Sequence, residues 1–306
     1  MTPRIAVLLS TYNGEAFLAA QLDSLISQRG VDVTLFARDD GSSDATREIL
    51  TRYAGRWPSL AAPTAGSNLG PARSFLELLS AAPGGFDAYA FCDQDDVWLP
   101  DKLRRAARRL AEVPPARPAL YCSRVLCVDA DLRPLGPAPV KDDDRFEHLL
   151  FENIAFGVTV VMNWAAAELI RSRPPVAGVI MHDWWCALVT SAFGEVIYDP
   201  EPGVLYRQHG GNEIGQASRR LAEIRRQARI FARDPSRFYP IRAQAAEFLR
   251  LWGGRLDPSR RRLTEALVDS KRSLAGRIAF AASGRIVRAN LAGAIAARIL
   301  VLAGLY

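Results

Sequence analysis

The chain has 306 residues, 49% of them hydrophobic, and a formal net charge of +6. This composition excludes a disordered or fibrous chain and leaves room for one large domain, or a domain with an appendage. No apolar stretch of about 18 residues runs free of charge, so an isolated membrane span is not expected.

Taken in chain order, the first 125 residues alternate strand and helix signals. Residues 5–9 are a continuous apolar run, as a strand buried on both faces requires. Leu18, Leu22 and Leu25 recur at helical spacing and predict a helix that ends near Gly30. Residues 31–37 read as a second strand. Thr46, Ile49, Leu50 and Tyr53 predict a second helix, with Ser43 as its cap. Residues 58–71 are turn-rich, 75–79 helical, 87–92 a third buried strand, 103–110 a basic helix and 119–122 a fourth strand. Farther on, 157–162 reads as a strand, 182–193 as a helix and 196–198 as a short strand. Beyond Gly215 the pattern is helical and arginine-rich to about Gly253, and 274–302 is alanine-rich.

Such alternation implies an α/β architecture, a mostly parallel sheet flanked by helices. Ligands of such sheets bind beyond the carboxyl ends of the strands. Ser10 to Asn13, Arg38 to Gly41 and Asp93 to Asp96 follow the first three strands and should converge on one rim.

Charge is uneven. Residues 1–218 carry net −7, whereas 219–306 carry 19 basic and 6 acidic residues, net +13. The predicted division is therefore a catalytic domain over 1–215 and a basic helical region over 216–306, which would meet an anionic membrane surface or a second copy of the chain. Nucleic acid is not expected, because no basic strand interleaved with aromatics is present. The four cysteines show no CxxC spacing, and the apolar run at 5–9 is too short for a signal-peptide core. Both point to a cytoplasmic chain with reduced thiols.

Asp93-Gln94-Asp95-Asp96 is the sharpest chemical feature. Three carboxylates in four residues repel one another unless a cation sits among them, and Mg2+ or Mn2+ suits oxygen donors. The same run also reads as a solvated turn opening the next helix. Asp39-Asp40-Gly41-Ser42-Ser43-Asp44 offers a carboxylate to a nucleobase imide, or is simply an Asx-capped turn. The hydroxyls and ring of Ser10-Thr11-Tyr12-Asn13-Gly14 suit a base, or a plain strand-to-helix turn. His182-Asp183-Trp184-Trp185 reads either as helix capping or as a general base walled by flat apolar rings that fit a sugar. Arg207 and His209 are cations suited to a diphosphate.

These motifs together resemble the family 2 glycosyltransferases of the GT-A fold: LLSTYNG (8–14), RDDGSSDAT (38–46), SNLGPARSF (67–75), FCDQDDVWLPDKL (91–103), HDWW (182–185) and YRQHGGN (206–212). The FCDQDDVWLP and HDWW forms are most similar to the bacterial rhamnosyltransferase branch. The resemblance implies an inverting transfer from dTDP-L-rhamnose, or from a UDP-sugar, to a cell-surface glycan or lipid-linked acceptor. It implies that Thr11, Tyr12 and Asp40 hold the base, with Asn13 and Arg73 beside the nucleotide and Asp93 at the ribose. Asp95, with Asp93 and His209, would hold Mg2+ or Mn2+. Asp183 would be the base, His182, Trp184 and Trp185 would face the sugar or acceptor, and Arg207 the diphosphate. A dinucleotide-dependent oxidoreductase would need GxGxxG where STYNGE stands. A non-catalytic binding module is discriminated by turnover of donor.

Overall fold

In strand β1 (Arg4–Thr11) Ile5, Val7 and Leu9 alternate with Ala6 and Leu8, and all five are fully buried. A strand without a polar face must lie inside a sheet covered on both sides. β1 pairs in parallel with β2 (Asp32–Asp39) on one edge. Between them runs α1 (Leu18–Ile26), which buries Leu18, Leu22 and Leu25. After β2 come α2 (Thr46–Ala54), the short β3 (Thr64–Ala65) and α3 (Pro71–Ala81). Pro71 and the left-handed Gly70 at φ 74° open α3 abruptly.

β4 (Ala88–Cys92) is the parallel partner on the other edge of β1. The chain continues through β5 (Val97–Trp98), α4 (Lys102–Leu110), β6 (Ala119–Ser123), β7 (Leu126–Val128), β8 (Pro134–Pro137), α5 (Phe146–Leu149), β9 (Val161–Asn163), α6 (Trp164–Arg171), α7 (His182–Phe193), β10 (Glu195–Asp199) and β11 (Val204–Arg207). The main sheet has the order β10-β6-β9-β4-β1-β2-β3, and a second sheet the order β5-β11-β7-β8.

This computed structural model describes residues 1–209 and 240–306, and within it the chain forms two units. The first comprises Met1–Asp142, Ala155–Pro174 and Met181–Gln208; the second comprises Asp143–Ile154, Pro175–Ile180 and His209–Tyr306. The second unit thus borrows two segments from within the range expected to be catalytic. The 215/216 boundary, Gly210, Asn212 and the arginine-rich stretch up to 239 lie outside the described residues.

Where 157–162 suggested one strand, Gly157–Thr159 is a 3-10 turn, and β9 runs antiparallel between β4 and β6. Asn163 ends β9: its side chain accepts from Ala166 N–H at 2.9 Å and caps α6. The main sheet is thus mostly parallel, as expected, with β9 as its antiparallel strand. The helix predicted over 182–193 is observed at those bounds.

The second unit contains α5 and the helices α8 (Ile241–Trp252), α9 (Pro258–Ser270), α10 (Leu274–Ala282) and α11 (Leu291–Ala303). Asp257, Ser273 and Asn290 each cap the following helix through a side-chain oxygen. Its core includes ring pairs Phe146–Phe248 and Phe151–Phe280. Among the described residues no helix is long and apolar enough to cross a membrane. All four cysteines are buried, and none of them forms a disulfide.

Candidate functional site

The three polar clusters after β1, β2 and β4 do converge, and hydrogen bonds lace them together. Gln94 accepts from Tyr12 N–H at 2.8 Å and donates to Tyr12 C=O at 2.9 Å. Asn13 N–H donates to Ser42 Oγ, and Ser43 N–H donates to Asn13 Oδ1, both at 2.9 Å. Gly14 N–H donates to Thr46 Oγ1 at 2.7 Å. Asn13 holds the left-handed φ of 49° that turns the chain from β1 toward α1. A Cβ at Gly14 would overlap the Gln94 carboxamide, so a larger residue there would have to displace that side chain. Tyr12 is 48% exposed and stands on this rim. Gln94 escaped the sequence reading because only tertiary contact shows that it bridges two loops. Ser43 does not cap α2; Asp44 accepts from Thr46 N–H instead.

Asp40 was expected to face a nucleobase. Here it is 2% exposed, pairs with Arg38, and accepts from the N–H groups of Leu69 and Gly70 at 2.9 Å. Arg38 reaches onward to Ser74 Oγ at 3.1 Å, and Ser74 shares a 2.7 Å bond with Ser10. The carboxylate thus closes the 67–70 turn onto the rim. Thr11 is likewise buried and directs its hydroxyl to Asp39 at 3.3 Å and to the Arg38 carbonyl. Asp40→Ala would leave the buried Arg38 guanidinium without its counter-charge and Leu69 N–H without its acceptor. We expect it to lower folding stability by about 3–5 kcal/mol in urea denaturation.

Asp93 and Asp95 lie half-buried beyond β4, whereas Asp96 is fully buried. Asp96 Oδ1 accepts from Arg207 N–H at 2.8 Å, and its Oδ2 has no hydrogen-bond partner among the described residues. Burial, then the charges of Asp95 and Asp93, push the Asp96 carboxyl well above the usual carboxylate range. Arg207 does not project toward a diphosphate. It is 3% exposed, donates from Nε to the Asp95 carbonyl at 2.7 Å, donates from its guanidinium to the Ala130 carbonyl, and lies over the Phe17 ring. Burial explains this correction: a guanidinium enclosed by carbonyls braces the carboxylate loop. Arg207→Met should raise the Mn2+ concentration needed for half-maximal turnover about tenfold or more, as losses of supporting contacts around metal sites do; Arg207→Lys should fall between the two. A metal titration of donor turnover checks this.

Asp183 occupies the first turn of α7 and is 5% exposed. The helix N-terminus favours its negative charge. His182 is buried with its ring stacked on Phe75 at 4.0 Å and edge-on to Phe91 at 4.8 Å. Burial pushes its imidazole down to about 3, so it stays neutral at any working pH. Trp185 is fully buried in α7, and Trp184 nearly so. His182 and Trp185 are therefore not open faces for a sugar. The His182 ring packs the start of α7 against Phe75 of α3 and Phe91 of β4 and so fixes where Asp183 stands. Gly157, which the sequence reading passed over, gives the room: a Cβ there would meet His182 Nε2 at 2.9 Å and Asp183 Oδ2 at 3.5 Å.

Arg73 is exposed in the first turn of α3. His209 is half-buried and belongs to the second unit, while Arg207 belongs to the first. No group of three or more metal-ligating side chains occurs among the described residues. The paired oxygen donors of Asp93 and Asp95 instead fit an Mg2+ or Mn2+ ion that keeps waters and shares substrate phosphates.

The Glycosyl transferase family 2 model matches residues 6–133. The dTDP-rhamnosyl transferase RfbG of Shigella flexneri is 28% identical over 216 residues, 68% of this chain and 73% of that protein. A Mycobacterium tuberculosis protein is 30% identical over 213 residues, 67% of this chain but only 59% of its own length. Among solved structures, Staphylococcus aureus TarS 1–349 in complex with UDP-GlcNAc matches with TM-score 0.60 and 18% identity, over 98% of this chain and 81% of that one. The mannosyltransferase PcManGT of Pyrobaculum calidifontis, in complex with GDP-Man and Mn2+, matches with TM-score 0.52 and 18% identity, over 100% and 81%. With this strand order beneath that match, residues 6–133 carry a glycosyltransferase family 2 domain, and the chain shares the GT-A fold of these solved structures.

Proposed function

We propose that the protein transfers one sugar, L-rhamnose from dTDP-L-rhamnose, to a hydroxyl of a cell-surface glycan or lipid-linked acceptor, with inversion at the anomeric carbon and at the cytoplasmic side of the membrane. The observation that carries the reading is the single rim on which the Tyr12, Asp39 and Asp93 loops are hydrogen-bonded together. The Shigella likeness supports the choice of donor. A UDP-sugar is the alternative, favoured by the fold shared with TarS.

In this reading Tyr12, Asn13 and Arg73 flank the nucleotide, and Thr11 and Asp40 hold the rim in shape. Asp93 meets the ribose. Asp93 and Asp95 would hold Mg2+ or Mn2+, which when bound neutralises charge growing on the leaving diphosphate. Asp183 takes the proton of the acceptor hydroxyl. That oxygen attacks the anomeric carbon as the bond to the diphosphate breaks, and the diphosphate leaves with the electron pair. One displacement needs one base, and Asp183 at a helix start is a carboxylate held in a fixed place. Arg207 keeps the Asp95 loop from shifting. A panel of dTDP-, UDP- and GDP-sugars, assayed with Mn2+ and with chelator, tests the proposal. Metal-dependent release of dTDP from dTDP-rhamnose is expected; turnover of UDP-sugars alone would replace the donor assignment.

A further inference from the structure

Helices α10 and α11 turn their polar logic inside out. Each has a buried face, Phe280 and Ala281 in α10 and Ala294, Ala297 and Val301 in α11. Arg277 ties the two together by donating to the Leu302 carbonyl at 2.8 Å. The outward faces carry no polar residue. Leu274 and Ile278 are exposed on α10, and Leu291, Ile295, Ile299 and Leu302 on α11, with Leu291 at 74% and Ile299 at 59%. Every other exposed position within the two helices is an alanine. At 3.6 residues per turn the four α11 residues span only about 80° of arc, so they form one stripe. A contiguous apolar face of this kind marks a contact surface.

Charge decides what the surface contacts. Residues 270–306 hold six Lys or Arg and no Asp or Glu. Arg285 is exposed in the loop that joins the two helices, and Arg298 is half-buried on α11. Two copies meeting face to face would bring like charges together, which opposes association. An anionic lipid surface satisfies both features, apolar insertion and cation attraction. The helices have 9 and 13 residues, about 14 and 20 Å, shorter than the roughly 30 Å hydrocarbon core. They can lie in the interface but not cross it.

We propose that the α10–α11 pair is a monotopic anchor that inserts its leucine and isoleucine stripe into the headgroup boundary of an anionic bilayer. The inference deepens the location given in the proposed function but needs no glycosyl transfer to be tested. The whole chain is floated with vesicles of phosphatidylcholine alone, or mixed with phosphatidylglycerol, at low and high salt. Wild type is expected to bind the anionic vesicles at least about tenfold more tightly than the neutral ones, less so at high salt. The double variant Ile295→Glu, Ile299→Glu should lose that binding about tenfold or more, while its melting temperature and its hydrolysis of donor in solution stay at wild-type values. Wild type that stays with the soluble fraction, or a double variant that floats as well as wild type, overturns the anchor. A wild-type dimer that the double variant dissociates, without vesicle binding, also overturns it and makes this face a contact between copies.

Discussion

Asp183→Asn should lower kcat for sugar transfer by about 10²- to 10⁴-fold while leaving the affinity for nucleotide sugar close to that of wild type. The substitution keeps the shape of the side chain and its place in the first turn of α7, but removes the group that takes the acceptor proton. The rings of His182, Phe75 and Phe91 are untouched, so α7 should start where it does now. The loss should therefore fall on kcat, because proton removal matters in the transition state and not in donor binding. Steady-state kinetics beside calorimetric binding of the nucleotide separates these effects. A variant with wild-type kcat would remove Asp183 from the chemistry. A variant that also loses nucleotide affinity would mean that Asp183 shapes the donor site.

Asp95→Asn should lower kcat/KM by about 10²-fold or more and shift half-maximal activation to higher Mn2+. A neutral amide is a poorer ligand for a hard divalent ion than a carboxylate. The variant relieves part of the like charge around the buried Asp96 but also loses attraction to the buried Arg207, so folding stability should change little. That combination is diagnostic: activity and metal response fall while stability does not. Thermal unfolding without metal, set beside a Mn2+ titration of turnover, checks both halves. Equal metal response in variant and wild type would move the ion to other ligands.

The buried strands and long helices were legible because burial and periodicity are written locally. The runs at 5–9 and 87–92 and the spacing of Leu18, Leu22 and Leu25 report on faces of single elements. The second sheet was not legible. Its strands have two to four residues, too few for any period to register. α6 was missed for another reason: Asn163 both ends β9 and caps α6, and the alanines that follow carry little amphipathic contrast.

The candidate site divides along the same line. Residue types and spacing singled out the Asp93 to Asp96 loop, the 38–46 turn and the start of α7, although the same types are ordinary in turns and at helix starts. Which side chains face outward was decided only by packing. Asp40 and Arg207 read as ligand-binding groups in the sequence, but in the structure they are braces, because buried charges must find partners within the protein. His182 and Trp185 read as a sugar platform but pack α7 into the core, since a helix buried on nearly all sides has no open face to spare. Gln94, Arg38 and Gly157 gained their roles only through neighbours distant in the chain, contacts that no local pattern encodes.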